Sequence, residues 1–86
     1  MILQAKVTAV MLHSVEVMVR VNKHFEATLN LDRKTPGFSN VCESQEIRKE
    51  DWLNLAARFY PTKPPEEQLK IIRITKLIPK EAVYVR

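Results

Sequence analysis

The residues most capable of chemistry in this chain are basic side chains, and they are concentrated near its end. The 86 residues include 14 Lys and Arg against 10 Asp and Glu, a net charge of +4. Residues 1–60 hold eight basic and seven acidic side chains, whereas residues 61–86 hold six and three, so the last segment carries +3. Basic surfaces attract phosphates. The candidate nucleic-acid contacts are Arg33, Lys34, Lys63, Lys70, Arg73, Lys76 and Lys80.

Two features of the sequence weaken this nucleic-acid hypothesis. In a regular strand Lys70 and Lys76 share one face and Arg73 lies on the other, which splits the basic set. The chain also lacks an aromatic RNP-like segment, a Gly-x-x-Gly clamp and the second helix of a helix-turn-helix. Charge alone therefore supports DNA or RNA binding, and a solvated edge that discourages aggregation is the simpler interpretation.

Metal binding and nucleophilic catalysis have few candidate residues. His13 and His24 fall in successive turns at opposite ends of a strand, so they cannot share an ion. Cys42, the only cysteine, has no glycine-rich elbow beside it and no partner for an internal disulfide. The sequence predicts no metal and no cofactor, and a reducing, cytoplasmic location.

Four carboxylates, Glu43, Glu46, Glu50 and Asp51, are close enough in sequence to be considered as an acid–base pair. They also precede a predicted helix, where negative charge is favoured by the helix dipole. One glycine in the whole chain excludes a glycine-rich phosphate loop. We therefore expect a protein that is not an enzyme.

Three segments that alternate apolar and polar residues must form the scaffold. Residues 2–31 predict a three-stranded antiparallel meander with one buried and one solvated face. Three-residue loops at 12–14 and 22–24 place Met11 opposite Val15 and Val21 opposite Phe25. That register keeps apolar residues opposite one another, which two-residue loops do not.

The same register predicts the composition of the solvated face. Its rows contain no aromatic side chain on which a base would stack. Met18 projects from the middle of this face, beside Lys6 and Arg20, and these three are the candidate protein contacts. The predicted rows are Lys6, Arg20 and Glu26; Thr8, Met18 and Thr28; Val10, Glu16 and Asn30.

The segment after the meander predicts a loop and then one α-helix. Trp52, Leu55, Ala56 and Phe59 recur at helical spacing, and Pro61 ends the run. The helix begins at a Ser44 cap or near Arg48. Its aromatic residues, with Tyr60, are expected in the core. Residues 38–47 are left open between a short strand and a loop.

The end of the chain predicts two further strands. Residues 69–78 are apolar on both faces, which is typical of a central or covered strand. Pro79 and Lys80 interrupt the pattern, and residues 82–85 form a last short strand. The expected order is βββ-(β)-α-β-β in a single α+β domain over residues 1–86, an antiparallel sheet with one helix packed on it.

Because we expect no catalytic or metal-binding site, two functional hypotheses remain. The first is a non-catalytic binding protein that acts on another protein as an inhibitor, adaptor or regulator. The alternative is a basic module that contacts DNA or RNA phosphates. A homodimer through the sheet edge or an uncovered face is compatible with either. The sequence contains no stretch of about 18 apolar residues, so we expect no membrane span, and the N-terminus does not resemble a signal peptide.

Overall fold

The computed structural model describes residues 1–80, which form one curled antiparallel sheet. Its strand order is β3-β2-β1-β4-β5. The first three strands form consecutive hairpins and the fourth returns beside the first, which is a Greek key. The predicted strand at 82–85 lies outside the described residues. The strands are β1 Ile2–Val10, β2 Ser14–Asn22, β3 Phe25–Asp32, β4 Trp52–Phe59 and β5 Leu69–Ile78.

The prediction of an α-helix that begins at a Ser44 cap or near Arg48 and ends before Pro61, and with it the α+β class, is wrong, because residues 52–59 form a strand. This segment is β4, in which Leu53, Leu55 and Ala57 are fully buried while the intervening residues face outward. Its apolar residues fit both periods, and pairing with two flanking strands decided between them. Between strands, the described chain forms only a π-helical turn, Ser39–Glu43, and a 3-10 turn, Pro65–Glu67. The open segment 38–47 is thus mainly a turn and a loop.

The meander is present, and the register of its second hairpin is confirmed. Glu16, Met18 and Arg20 lie opposite Asn30, Thr28 and Glu26. The predicted loop length is wrong, because Asn22 pairs with Phe25 across a two-residue turn and Val21 has no directly opposed partner. Val21 is an extra, bulged residue that compensates for the shorter turn, so the residues beyond it keep the predicted register.

The first hairpin, unlike the second, does not keep its predicted register. Val10 pairs with Val15, and the Met11 amide donates to the Ser14 carbonyl at 2.9 Å. A bulge at Thr8 then restores the buried face, so that Val7 lies opposite Val17. As a result Lys6 lies opposite Met18 rather than Arg20.

The sheet curls until its distant strands meet. The rings of Phe25 and Phe59 lie 5.2 Å apart edge to face, although a flat sheet would separate β3 and β4 by about 14 Å, three strand spacings. The segment after β3 also reaches the opposite edge, where the Ile74 amide donates to the Pro36 carbonyl at 2.8 Å. β5 is therefore an edge strand contacted by this segment, so of the two predicted alternatives, a central strand or a covered strand, the central one does not occur.

The curled sheet forms a half-barrel, and the inner face of this half-barrel carries the hydrophobic core. Its largest fully buried side chains come from β1, β2, β4 and β5, and the π-helical turn covers one end through Val41 and Cys42. No described helix is long and apolar enough to cross a membrane. The large core side chains are Val7, Val15, Val17, Val19, Leu53, Leu55 and Ile74.

Candidate nucleic-acid interface

Two irregularities in β5 bring its three cations to one face. Residues directly opposite in a ladder point to the same side of the sheet. Lys70, Arg73 and Lys76 lie opposite Arg58, Ala56 and Asn54, all of which alternate with the buried residues of β4. Thr75 and Ile72 are the extra residues that shift the register between these pairs. Arg73 therefore joins Lys70 and Lys76 on the outer face, and the regular-strand prediction that separated it is wrong.

Arg58, Lys70, Arg73 and Lys76, here called the basic stripe, form a surface without local acidic compensation. All four side chains are exposed. The sequences of β4 and β5 contain no Asp or Glu. Within residues 1–80 none of the four forms an ion pair, because the salt bridges there involve other cations. The stripe is thus an unbalanced concentration of positive charge.

The outer face also carries the aromatic side chains of Trp52, in β4, and Tyr60, which directly follows β4. Trp52 is half-buried and lies between Lys6 of β1 and Ile78 of β5. Tyr60 follows the strand, and its amide donates to the Gln68 carbonyl at 2.6 Å, which extends the ladder. The Lys63 ammonium lies 4.7 Å from the centre of the Tyr60 ring. The expectation that these rings belong to the core fails because β4 is a strand.

The three candidate protein contacts lie beside Trp52. Met18, Lys6 and Arg20 line a shallow pocket of about 220 Å³, which Gln4, Val19, Glu26 and Trp52 complete. Arg20 forms an ion pair with Glu26 at 2.8 Å, so its charge is locally balanced. Lys6 forms no ion pair among residues 1–80. The pocket combines an apolar wall with the charges of Arg20, Glu26 and Lys6, and the charge of Lys6 also helps to lower the pKa of Glu50.

Four of the seven candidate cations are not on the basic stripe: Lys63, which lies over Tyr60, and Arg33, Lys34 and Lys80. Arg33 forms an ion pair with Glu43 at 2.8 Å, and this contact, together with a hydrogen bond from Ser39, holds the pKa of Glu43 below its usual value. Lys34 lies in the turn after β3. Lys80 pairs with Glu50 at 2.5 Å.

Each of the four carboxylates has a structural partner. Beyond the Glu43 pair, Glu46 contacts Arg48 at 3.3 Å, and hydrogen bonding to Lys80 lowers the pKa of Glu50. Asp51 is buried and accepts hydrogen bonds from the backbone amides of Arg48 and Lys80 at 2.9 and 2.8 Å. A general acid needs a raised pKa, whereas the shifts of Glu43 and Glu50 are downward.

Cys42 is buried, and the two histidines are separated from each other in the fold. Burial, followed by the charge of Glu43, raises the pKa of the Cys42 thiol to about 11, so the nucleophilic thiolate is scarce at neutral pH. His13 and His24 lie in the turns at opposite ends of β2. Over residues 1–80 no group of three or more His, Cys, Asp and Glu side chains is placed to hold a metal ion.

Trp52 and Arg58 are the members of this surface that sequence reasoning did not assign to it. Their strand period was visible in the alternation of Leu53, Leu55 and Ala57, but the helical interpretation placed Trp52 in the core. Comparisons with protein-family models, with curated proteins and with solved structures find no match to this chain.

Proposed function

We propose that this protein binds nucleic acid through phosphate contacts to the basic stripe. The observation that carries the proposal is the presence of Arg58, Lys70, Arg73 and Lys76 on one face without an acidic neighbour in β4 or β5. Such a surface releases condensed counterions when it meets a polyanion, which favours association. The split of the cations that weakened this hypothesis in the sequence does not occur in the fold, and Trp52 of β4 adds an aromatic side chain to the outer face.

The architecture is compatible with this function. Partly open five-stranded Greek-key barrels include the OB-fold, whose members bind oligonucleotides and oligosaccharides mainly through strands 2 and 3. The basic stripe lies instead on β4 and β5. Because function resides in sites rather than in folds, the charge arrangement and not the architecture supports the proposal. A cytoplasmic location belongs to the same proposal, since the single cysteine is a free thiol.

Removal of the stripe cations is expected to weaken binding strongly. Four phosphate contacts give a slope of log K against log salt of about −3 to −4, and the Lys70→Ala/Arg73→Ala/Lys76→Ala variant retains a slope of about −1. We expect its affinity at low salt to fall by about tenfold or more. Fluorescence anisotropy with labelled 20-nucleotide single-stranded DNA, RNA and duplex DNA at several salt concentrations measures both quantities.

A charge-matched variant separates the stripe from net charge. Lys23→Ala/Lys34→Ala/Lys49→Ala removes three cations from turns and loops rather than from β4 or β5. We expect it to retain most of the affinity. Equal losses in the two triple variants would show that only overall charge matters, and absence of binding by the wild-type chain at low salt would contradict the proposal itself.

Protein binding is the second candidate function, supported by the pocket that gathers Met18, Lys6 and Arg20. Its occupant would be another protein that this chain inhibits, links or regulates. Met18 is 38% exposed, so Met18→Asp is expected to leave the circular dichroism spectrum unchanged and to abolish retention of a partner that the wild-type chain captures. If the Met18→Asp variant captures the partner as well as the wild-type chain does, the pocket is not the protein-binding site.

A further inference from the structure

We propose, on the basis of the proposed function, that Trp52 stacks on an unpaired base and that the preferred ligand is therefore single-stranded nucleic acid. Trp52 lies in a cross-strand row of the outer face, opposite Lys6 on one side and Ile78 on the other. Met18, opposite Lys6, continues the row. The indole is thus set among side chains of the outer face and not in the core.

Trp52 lies outside the hydrophobic core. The adjacent Leu53 is fully buried on the inner face, whereas Trp52 is half-buried at the wall of the pocket, where part of its ring area faces solvent. The only ring pair within residues 1–80 is Phe25 with Phe59, so no described aromatic side chain stacks on the indole.

Charges around Trp52 match the backbone of a bound strand. Lys6 is directly opposite the indole, and Lys76 lies opposite Asn54, two residues along β4 on the same face. A base on the indole would place its flanking phosphates near these two cations. From Lys76 the basic stripe continues along β4 and β5 to Arg58 and Lys70. The surface therefore joins one stacking ring to a track of phosphate contacts.

This arrangement selects single strands over duplexes. Bases in a duplex are stacked on one another, so a protein ring reaches a base face only when the strand is unpaired. Tyr60, at the other end of β4, is less suited to the role because the Lys63 ammonium already lies 4.7 Å from its ring centre. Trp52 is consequently the residue assigned to base stacking.

The test uses the intrinsic fluorescence of Trp52, the only tryptophan in the chain. Titration of the full chain with 12-nucleotide oligothymidylate is expected to quench its emission, and a 12-base-pair duplex of mixed sequence is expected to leave it nearly unchanged. Trp52→Ala is expected to lower single-strand affinity by about 5- to 150-fold. Because the indole is uncharged, the salt slope and the duplex affinity should stay as in the wild-type chain.

Two controls separate the possible failures. Trp52→Phe retains a stacking ring and is expected to recover most of the affinity lost by Trp52→Ala. If Trp52→Ala does not fold, acrylamide quenching of the wild-type fluorescence is measured with and without the oligonucleotide. The oligonucleotide is expected to protect the indole from acrylamide, and absence of protection would contradict the inference. Unchanged single-strand affinity in a folded Trp52→Ala variant, with loss in the stripe variant, overturns base stacking but leaves the proposed function intact. If the wild-type chain binds neither nucleic acid, both proposals fail and the pocket is left to a protein partner.

Discussion

Gly37→Ala is expected to destabilise the fold by about 2–6 kcal/mol, the sum of a strained backbone and an enforced steric overlap. Gly37 has φ of +87°, where side chains other than glycine are disfavoured. A Cβ there would lie 2.2 Å from the Ile74 carbonyl oxygen, which is rigid backbone of β5. Since a chain of this length has a total stability of about 4–13 kcal/mol, the variant is expected to be close to unfolding.

Urea denaturation measures the Gly37→Ala effect, with a midpoint expected to fall by about 2 M or more. The Pro36 carbonyl accepts the Ile74 amide hydrogen at 2.8 Å, so faster hydrogen exchange at Ile74 provides a local readout. Lys34→Ala, an exposed change in the same turn, serves as the control and should alter stability by less than about 0.5 kcal/mol. Equal midpoints for Gly37→Ala and the wild-type chain would contradict the close packing of this segment on β5.

Leu53→Ala is expected to cost about 2–5 kcal/mol, because it removes a fully buried side chain and leaves a cavity in the core. Leu53 lies opposite Ala5 of β1 and Leu77 of β5, so the cavity would open in the middle of the sheet. In a helix with Trp52, Leu55, Ala56 and Phe59 on its buried face, Leu53 would only flank the core. The size of the loss thus reports whether this segment is a strand.

The matched control for Leu53→Ala is Ala56→Thr. Ala56 is half-buried on the outer face opposite Arg73, where a β-branched residue suits a strand, so its stability change should stay within about 0.5 kcal/mol. In the helical alternative Ala56 is a core residue and the threonine hydroxyl would be buried at a clear cost. Chemical denaturation of both variants decides the matter, and a larger loss for Ala56→Thr than for Leu53→Ala would contradict the strand.

Residues in the meander show how much of this fold was predictable. Alternation alone identified the buried faces of β2 and β3, and that of β1 as far as Val7; beyond the bulge at Thr8 it failed, because Met11, which was predicted to be buried, is exposed. The pairing of Arg20 with Glu26 follows from the predicted register of β2 and β3. The limits of the last described strand, residues 69–78, were also predicted correctly. The meander was predicted from a period of two and the last strand from a β-branched apolar run, and both signals are local in the sequence.

The candidate site was much less accessible to sequence reasoning. The face on which Arg73 lies depends on bulges at Ile72 and Thr75, and a bulge shifts the alternation by a residue without a fixed signature in the sequence. Without knowledge of these two bulges, the apolar–polar pattern of β5 does not place its three cations on one face. The pairing between the Ile74 amide and the Pro36 carbonyl, which brings the loop to β5, likewise joins residues distant in sequence.

The sequence by itself determined the meander, the last described strand and the excess of positive charge. Only the tertiary structure decided that residues 52–59 form β4 and that Trp52 and the stripe cations share the outer face. The reason is that Leu55 and Phe59 fit a helical period with Trp52 and Ala56 and equally a strand period with Leu53 and Ala57. Hydrogen bonding of β4 between β1 and β5, together with complete burial of Leu53 and Leu55, stabilises the strand.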